Sequence, residues 1–197
     1  MHSDRVPDSV FAAATSTCVV EPEQLNSELI ADRFGNYGIE LIDVEDGVRR
    51  SSLYSVGDGT KTCRTFAAVR IDELPDGLVD GEHDLIMRGA SIGATFRNHG
   101  WNVFKETVHV DRIGAPPLSP KIARLMGLDG KIRLAMHIYR LLPCRGTDAF
   151  CYATVVEVHH PDYMGLRDIE ESYIIDTPAS LSDAEIDNLT RPIIGST

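Results

Sequence analysis

The period of apolar positions changes several times along the chain, and each change marks an element. Leu25, Leu29, Ile30 and Phe34 recur at helical spacing with Gly35 as a stop, which predicts a first helix. Two extended segments follow, Gly38–Glu45 and Val48–Val56, separated by Asp46-Gly47, a dipeptide favoured in tight hairpins. Gly57-Asp58-Gly59 turns the chain into a third, Thr62–Ile71, completing a three-stranded meander. Residues 72–88 are rich in Asp, Glu, Gly and Pro and read as an exposed connection. Ser91 is placed to cap a short helix carrying Ile92 and Phe96 and closed by Gly100. Trp101–Ile113 reads as a long strand, with Trp101 as a core anchor. After Pro116-Pro117, Ser119-Pro120 is an N-cap with proline at the first helical position, and Ile122, Leu125 and Met126 form the buried stripe. Lys131–Leu142 and Phe150–His159 are two more strands, joined across Cys144–Asp148. Beyond Pro161 the pattern weakens to one capping-box candidate, Ser182-Asp183-Ala184-Glu185, with Ile186 and Leu189 on one helix face.

Strands with helices inserted between them predict an α+β fold built on a single six-stranded antiparallel sheet. The chain of 197 residues has no internal repeat and no linker long enough to divide it. The expected organisation is therefore one domain over residues 1–197, with residues 1–20 as a flexible arm.

Composition narrows the functional classes. The formal charge of −11 argues against a nucleic-acid surface. No apolar run approaches the length of a membrane span. Asp4, Asp8 and the short Phe11–Ala14 run do not make a signal sequence, so a cytoplasmic location is expected. The cysteines Cys18, Cys63, Cys144 and Cys151 lack CxxC spacing, which leaves a zinc site without support. Cys144 and Cys151 could meet across a hairpin, but in a reducing compartment buried free thiols are expected. Among the basic residues only Lys61, Lys105, Lys121 and Lys131 are lysines, and the rest are arginines. Arginine grips carboxylates through a planar fork, so an acidic protein of this kind can hold an organic anion in a pocket.

Glu157 is the first candidate for that chemistry. Alternation places Cys151, Ala153, Val155 and Glu157 on one face of their strand and Phe150, Tyr152, Thr154, Val156 and Val158 on the other. Both faces are largely apolar, as expected of a central strand covered on both sides. A carboxylate there needs a partner or a proton, because isolated buried charge is costly. A structural ion pair with an arginine and a ligand site beside small side chains are both consistent with it. Arg49 and Arg50 open the second strand, and Arg64 lies on the third. Adjacent strand residues point to opposite faces, so Arg49 and Arg50 cannot both reach one pocket. Arg49 shares its face with Leu53, and Arg50 shares its face with Ser52 and Tyr54. His159-His160 diverge for the same reason, and no metal-ligand spacing accompanies them. Gly89, Gly93 and Gly100 do not form a phosphate loop, and no serine nucleophile elbow is present.

Four segments in order carry a resemblance. They are Leu29-Ile30-Ala31-Asp32-Arg33-Phe34, Arg50-Ser51-Ser52-Leu53-Tyr54-Ser55 with the following Cys63-Arg64-Thr65, Ser91-Ile92-Gly93-Ala94-Thr95-Phe96, and Thr154-Val155-Val156-Glu157-Val158-His159-His160-Pro161. Over roughly residues 25–165 the chain resembles the chorismate lyase-like superfamily. That group comprises chorismate pyruvate-lyases and the UTRA-type ligand-binding domains of GntR-type regulators. The resemblance implies that Arg50 holds a ligand carboxylate, with Arg49 competing for the role. It also implies that Glu157 meets the ring hydroxyl and handles a proton, and that Ile30 and Ile92 line the ring. Arg64 and Gly93, from the same motifs, complete the expected site. Ser91 replaces the family's leading proline, and Arg97 follows Phe96.

Two functions follow from the resemblance. One is a lyase that eliminates pyruvate from chorismate, or a related cyclic carboxylate, to give a hydroxybenzoate without metal or organic cofactor. The other is a non-catalytic UTRA-like domain for an aromatic or cyclic carboxylate. Regulators of that kind carry a helix-turn-helix module ahead of the ligand domain, and only about 24 residues precede the first helix here, which tips the expectation towards the enzyme. The expected partner in either case is a small-molecule carboxylate.

Overall fold

Period-two stretches rich in Val, Ile, Thr and Tyr form the strands, and the turns between them sit where Gly or Asp accepts a left-handed backbone. Asp46 and Gly47 have φ of 52° and 73°, and Asp58 and Gly59 have 49° and 75°. The computed structural model describes residues 24–114, 120–128, 132–173, 184, 186 and 188–190. In chain order the elements are α1 (Asn26–Phe34), β1 (Gly38–Glu45), β2 (Val48–Gly57), β3 (Thr60–Ile71), α2 (Asp80–Met87), α3 (Ile92–Asn98), β4 (Asn102–Gly114), α4 (Pro120–Met126), β5 (Arg133–Arg145), β6 (Asp148–Ala149), β7 (Ala153–His159) and α5 (Leu166–Ser172).

The architecture is α+β. Six long strands form one sheet in the order β1-β2-β3-β7-β5-β4, and the two-residue β6 pairs with the end of β5. Every pairing is antiparallel. β6 makes the sheet seven-stranded rather than six. The chain turns at Gly146 (φ 63°), and Phe150–Tyr152 lie outside the ladder before β7 begins.

β7 lies between β3 and β5, and all seven of its residues are buried. Its Val156 and Val158 pack with Phe66, Met136 and Ile138 against Ile122 and Met126 of α4. Its other face supports two further apolar clusters. One gathers Val69, Val155, Tyr139 and Leu141 with Ile86 of α2, Phe96 of α3 and Trp101. The other gathers Ala67, Leu53 and Ala135 with Ile30 of α1, Tyr163 and Ile169 of α5. Burial of a large aliphatic or aromatic side chain contributes about 1.5–3 kcal/mol, so these seams hold the helices to the sheet.

Residues 72–88 depart from the expected exposed connection. They contain α2, whose Val79, Glu82 and Ile86 are buried. The acidic residue turned inward has a partner there: Trp101 Nε1 donates to Glu82 Oε1 at 3.1 Å. Ser91 takes the N-cap position of α3, but its hydroxyl makes no capping bond. Cys63 and Cys151 are free thiols, the first buried as expected and the second half-buried, and Cys151 Sγ donates to Asp72 Oδ2 at 2.9 Å. Cys144 is disulfide-bonded, which corrects the expectation of a free thiol there. Among the described residues no helix is long and apolar enough to cross a membrane. The expected arm at residues 1–20, Pro116-Pro117, Ser119, and Ser182, Asp183 and Glu185 of the capping box lie outside the described residues. Residues 184, 186 and 188–190 are helical, and Leu189 is buried against the α4 side of the sheet.

Candidate functional site

The two clusters on the helix-rich face of the sheet leave a cavity of about 70 Å³ between them. That is several times the ~10–15 Å³ needed for one water on this measure. Its floor is the sheet: Arg49, Ser51 and Leu53 of β2, Ala67 and Val69 of β3, Val155 and Glu157 of β7, Tyr139 and Leu141 of β5, and Val103 and Lys105 of β4. Its walls are the first turns of α1 (Leu25, Asn26, Ser27) and α3 (Ser91, Ile92, Gly93). The strand register explains the floor. Ser51, Ala67 and Glu157 lie on one rung across β2, β3 and β7, and Arg49, Val69, Val155 and Tyr139 lie on the next across β2, β3, β7 and β5. Side chains on neighbouring rungs, two residues apart, share a face of the pleat.

Arg49 is 1% exposed and carries its charge with no carboxylate within ion-pair distance among the described residues. Its Nε donates to Ile86 O at 3.1 Å, Nη1 to Ser51 Oγ at 3.2 Å and Nη2 to Ala90 O at 3.0 Å. Burial pushes its pKa down, opposed by Tyr152 and Tyr37. The carbonyl of Ile86 belongs to the last turn of α2, where the helix dipole is negative, and this supplies the local counter-charge. A guanidinium has five N–H donors, so two N–H groups of Arg49 remain beyond these bonds.

Glu157 is 4% exposed. Its Oε1 accepts from Asn26 Nδ2 at 3.1 Å, and its Oε2 lies 3.9 Å from His159 Nε2. Asn26 reaches it because α1 begins over the sheet. Leu25 N–H is satisfied there by Glu28 Oε2 at 2.8 Å, a reciprocal helix start without a polar N-cap. Glu28 Oε1 also receives Arg97 Nη1 at 2.7 Å, which ties α1 to α3 across the mouth. Leu25 packs on Gly93 so closely that a Cβ at position 93 would meet Leu25 Cδ2 at 2.5 Å. Glycine there is a matter of space between the two walls.

Lys105 is the third charged side chain on the cavity. Its Nζ donates to Tyr173 Oη at 3.1 Å and lies 4.8 Å and 5.0 Å from the ring centres of Tyr139 and Tyr173. With Arg49 and Glu157 it makes a lining of two cations and one anion, in a chain whose net charge is −11. The lining attracts an anion that the outer surface repels.

Of the residues expected at the site, Glu157, Arg49, Ile92 and Gly93 line this cavity. Arg50 does not: one position along the pleat it faces away, and its Nη1 pairs with Asp43 Oδ1 at 2.8 Å. Arg64 is also elsewhere. The β2–β3 register skips it between Leu53↔Thr65 and Tyr54↔Cys63, so it sits in a bulge. From there its Nε donates to Ser55 Oγ at 2.9 Å and its guanidinium covers Phe34 at 3.9 Å. Ile30 is fully buried, but it packs with Ala67, Tyr163 and Ile169 and does not line the cavity. His159 and His160 diverge. His159 Nδ1 is 3.0 Å from Thr65 Oγ1, whereas His160 Nδ1 accepts from Asp162 N–H at 3.1 Å.

Lys105, Tyr139 and Asn26 were not among the expected residues. Lys105 shares the two-residue period of Val103 on β4, the signal that would have placed it on the cavity face. Asn26 carries no comparable signal, because its role depends on how α1 docks.

No protein family matches the chain, and no curated protein does. Among solved structures it is similar to one described as the crystal structure of the PhnF C-terminal domain. The TM-score is 0.40 at 13% identity, over 73% of this chain and 79% of that one.

Proposed function

We propose that this chain is a small-molecule-binding domain of the chorismate lyase-like, UTRA-like type, which takes a small organic carboxylate in the cavity over β2, β3 and β7. Arg49, rather than Arg50, receives the carboxylate, and Glu157 receives a polar group on the ligand. One observation carries the reading: a buried guanidinium with no acidic partner among the described residues, and with two N–H groups beyond its three hydrogen bonds, lines the same cavity as a buried carboxylate. The apolar lining, from Leu53, Val69, Ile92 and Leu141, suits a hydrocarbon ring between these two ends. The ligand is not a nucleic acid, whose polyanionic backbone a net charge of −11 disfavours.

A panel of benzoate, the monohydroxybenzoates and cyclohexane carboxylates tests this by thermal shift at millimolar concentration. A ligand at a hundred times its Kd stabilises the fold by about 2.7 kcal/mol. That raises Tm by roughly 5–10 °C for a chain of this size. Arg49→Gln is expected to abolish the shift. Silence across the whole panel, or undiminished shifts in Arg49→Gln, refutes the reading.

Glu157 Oε2, which has no hydrogen-bond partner among the described residues, favours a second reading. In a lyase acting on chorismate, this oxygen takes the proton from the ring carbon bearing the hydroxyl. The neighbouring carbon–oxygen bond to the enolpyruvyl group then breaks with its electron pair on oxygen. The ring becomes aromatic 4-hydroxybenzoate, and the departing enolate gains a proton to become pyruvate. Aromatisation drives the reaction, so orientation and charge stabilisation are what the protein contributes. Formation of both products from chorismate, with a large rate loss in Glu157→Gln, is the expected result. Absence of both products refutes catalysis and leaves the binding reading intact.

A further inference from the structure

Two buried charges of opposite sign line one cavity without pairing to each other or to any other ionic side chain. Arg49 directs its three hydrogen bonds to Ile86 O, Ser51 Oγ and Ala90 O, and has no carboxylate within ion-pair distance among the described residues. Glu157 accepts one hydrogen bond, from Asn26 Nδ2 at 3.1 Å, and its Oε2 has no hydrogen-bond partner among the described residues. The basic ring within ion-pair distance of Oε2 is His159, with Nε2 at 3.9 Å. Burial pulls the pKa of that ring down to about 4, so at neutral pH it brings no positive charge. Lys105 turns its ammonium to Tyr173 Oη and to the rings of Tyr139 and Tyr173.

A buried charge without a partner is costly, and a ligand relieves that cost where its own charge is opposite. A plain carboxylate meets Arg49 but adds a second negative charge to a cavity that already holds Glu157. A hydroxyl leaves the charge on Glu157 uncompensated. An ammonium neutralises it and has three donors, one of which can serve Oε2. We infer that the preferred ligand is a zwitterion, an amino acid with its carboxylate at Arg49 and its ammonium at Glu157. This rests on the carboxylate-binding reading above and assigns the charge at the ligand's other end.

Strand register sets the spacing of the two charges. Ser51, which holds Arg49 Nη1 at 3.2 Å, shares a rung with Glu157 two strands away, a Cα spacing of roughly 10 Å. Hydrogen bonds of about 2.9 Å at both ends leave roughly 4–5 Å between the ammonium nitrogen and the carboxylate. A nitrogen and a carboxyl group on one carbon are only about 2.5 Å apart, and each further methylene adds about 1.3 Å. The amine therefore belongs on the β- or γ-carbon rather than the α-carbon. Leu53, Val69, Ile92 and Leu141 cover the hydrocarbon between the two charges.

The test is calorimetry on the full chain with matched compounds: butyrate, 4-hydroxybutyrate and 4-aminobutyrate, then cyclohexanecarboxylate and 3-aminocyclohexanecarboxylate. At least one amino compound is expected to bind roughly tenfold or more tightly than its counterpart without nitrogen, the size of one charged hydrogen bond. 4-Hydroxybutyrate, which keeps the size and removes the charge, is expected to bind more weakly than 4-aminobutyrate. Glu157→Gln should cut the preference for the amino compounds below about threefold and tighten butyrate, because the like charge is gone. Should that variant not fold, the comparison of 4-amino- with 4-hydroxybutyrate on the wild-type chain decides alone. Amino compounds that bind no better than their counterparts, a hydroxyl that does as well as the ammonium, or a preference that survives Glu157→Gln each overturn this inference. Binding in the benzoate panel alone also overturns it and spares the carboxylate reading. Binding of none of the five compounds and of no member of the benzoate panel overturns both.

Discussion

Substituting Arg49 and Arg50 separately by alanine measures how differently two adjacent arginines are used. Arg49→Ala removes three hydrogen bonds from a buried cation, two of them to the backbone carbonyls of Ile86 and Ala90. Charged hydrogen bonds contribute about 1.5–3 kcal/mol each. Several kcal/mol return when the guanidinium no longer has to be desolvated. The net loss expected is about 2–4 kcal/mol, or roughly 5–15 °C in Tm for a chain of this length. Arg50 is 14% exposed, and its partner Asp43 is 33% exposed. Such a pair contributes about 0–1 kcal/mol, so Arg50→Ala should move Tm by no more than roughly 4 °C. Differential scanning fluorimetry supported by urea midpoints decides the matter. Equal losses, or a larger loss for Arg50→Ala, would mean that the pleat places Arg50 rather than Arg49 towards the cavity, and the site as described would be wrong.

The buried histidines make stability depend on acid. His159, with its pKa lowered to about 4 by burial, and His137, lowered to about 2 by burial with Lys105 and His159 adding to it, both stay neutral in the fold. Unfolded histidine titrates near 6.5, so below that pH the unfolded chain takes up protons that the folded chain refuses. Stability is full above about pH 6.5 and falls as pH drops towards 4, by roughly 3 kcal/mol from His159 alone. Urea midpoints at pH 7 and pH 5 should differ accordingly, and equal midpoints would contradict the burial of these rings. Gly93→Ala puts a methyl where Leu25 Cδ2 lies 2.5 Å away, so Leu25 must shift at the cavity wall. Overpacking of this kind costs about 1–3 kcal/mol. The variant should fold yet lose most of the carboxylate-induced thermal shift, and a full shift would show that α1 and α3 do not wall the site.

Alternation was legible wherever a strand had two buried faces. β7 shows this best: Val155 and Glu157 on one side and Val156 and Val158 on the other follow from spacing alone. The same rule separates Arg49 from Arg50 but cannot say which one faces inward, because both faces of β2 have partners. Arg64 escaped the rule altogether, since a bulge breaks the period at its own position. α2 was hidden by composition: Asp80, Gly81, Glu82 and Asp84 read as solvent-exposed until Trp101, nearly twenty residues on, supplies a partner for Glu82. Asn26 illustrates the deeper limit. Its bond to Glu157 joins residues 131 positions apart, and no local pattern encodes a contact created by docking a helix on a finished sheet.

Arg49 works at two addresses, the floor of the cavity and the final turn of α2. The guanidinium that lines the cavity is the one that holds the carbonyls of Ile86 and Ala90, so a single side chain joins the cavity floor to the end of α2.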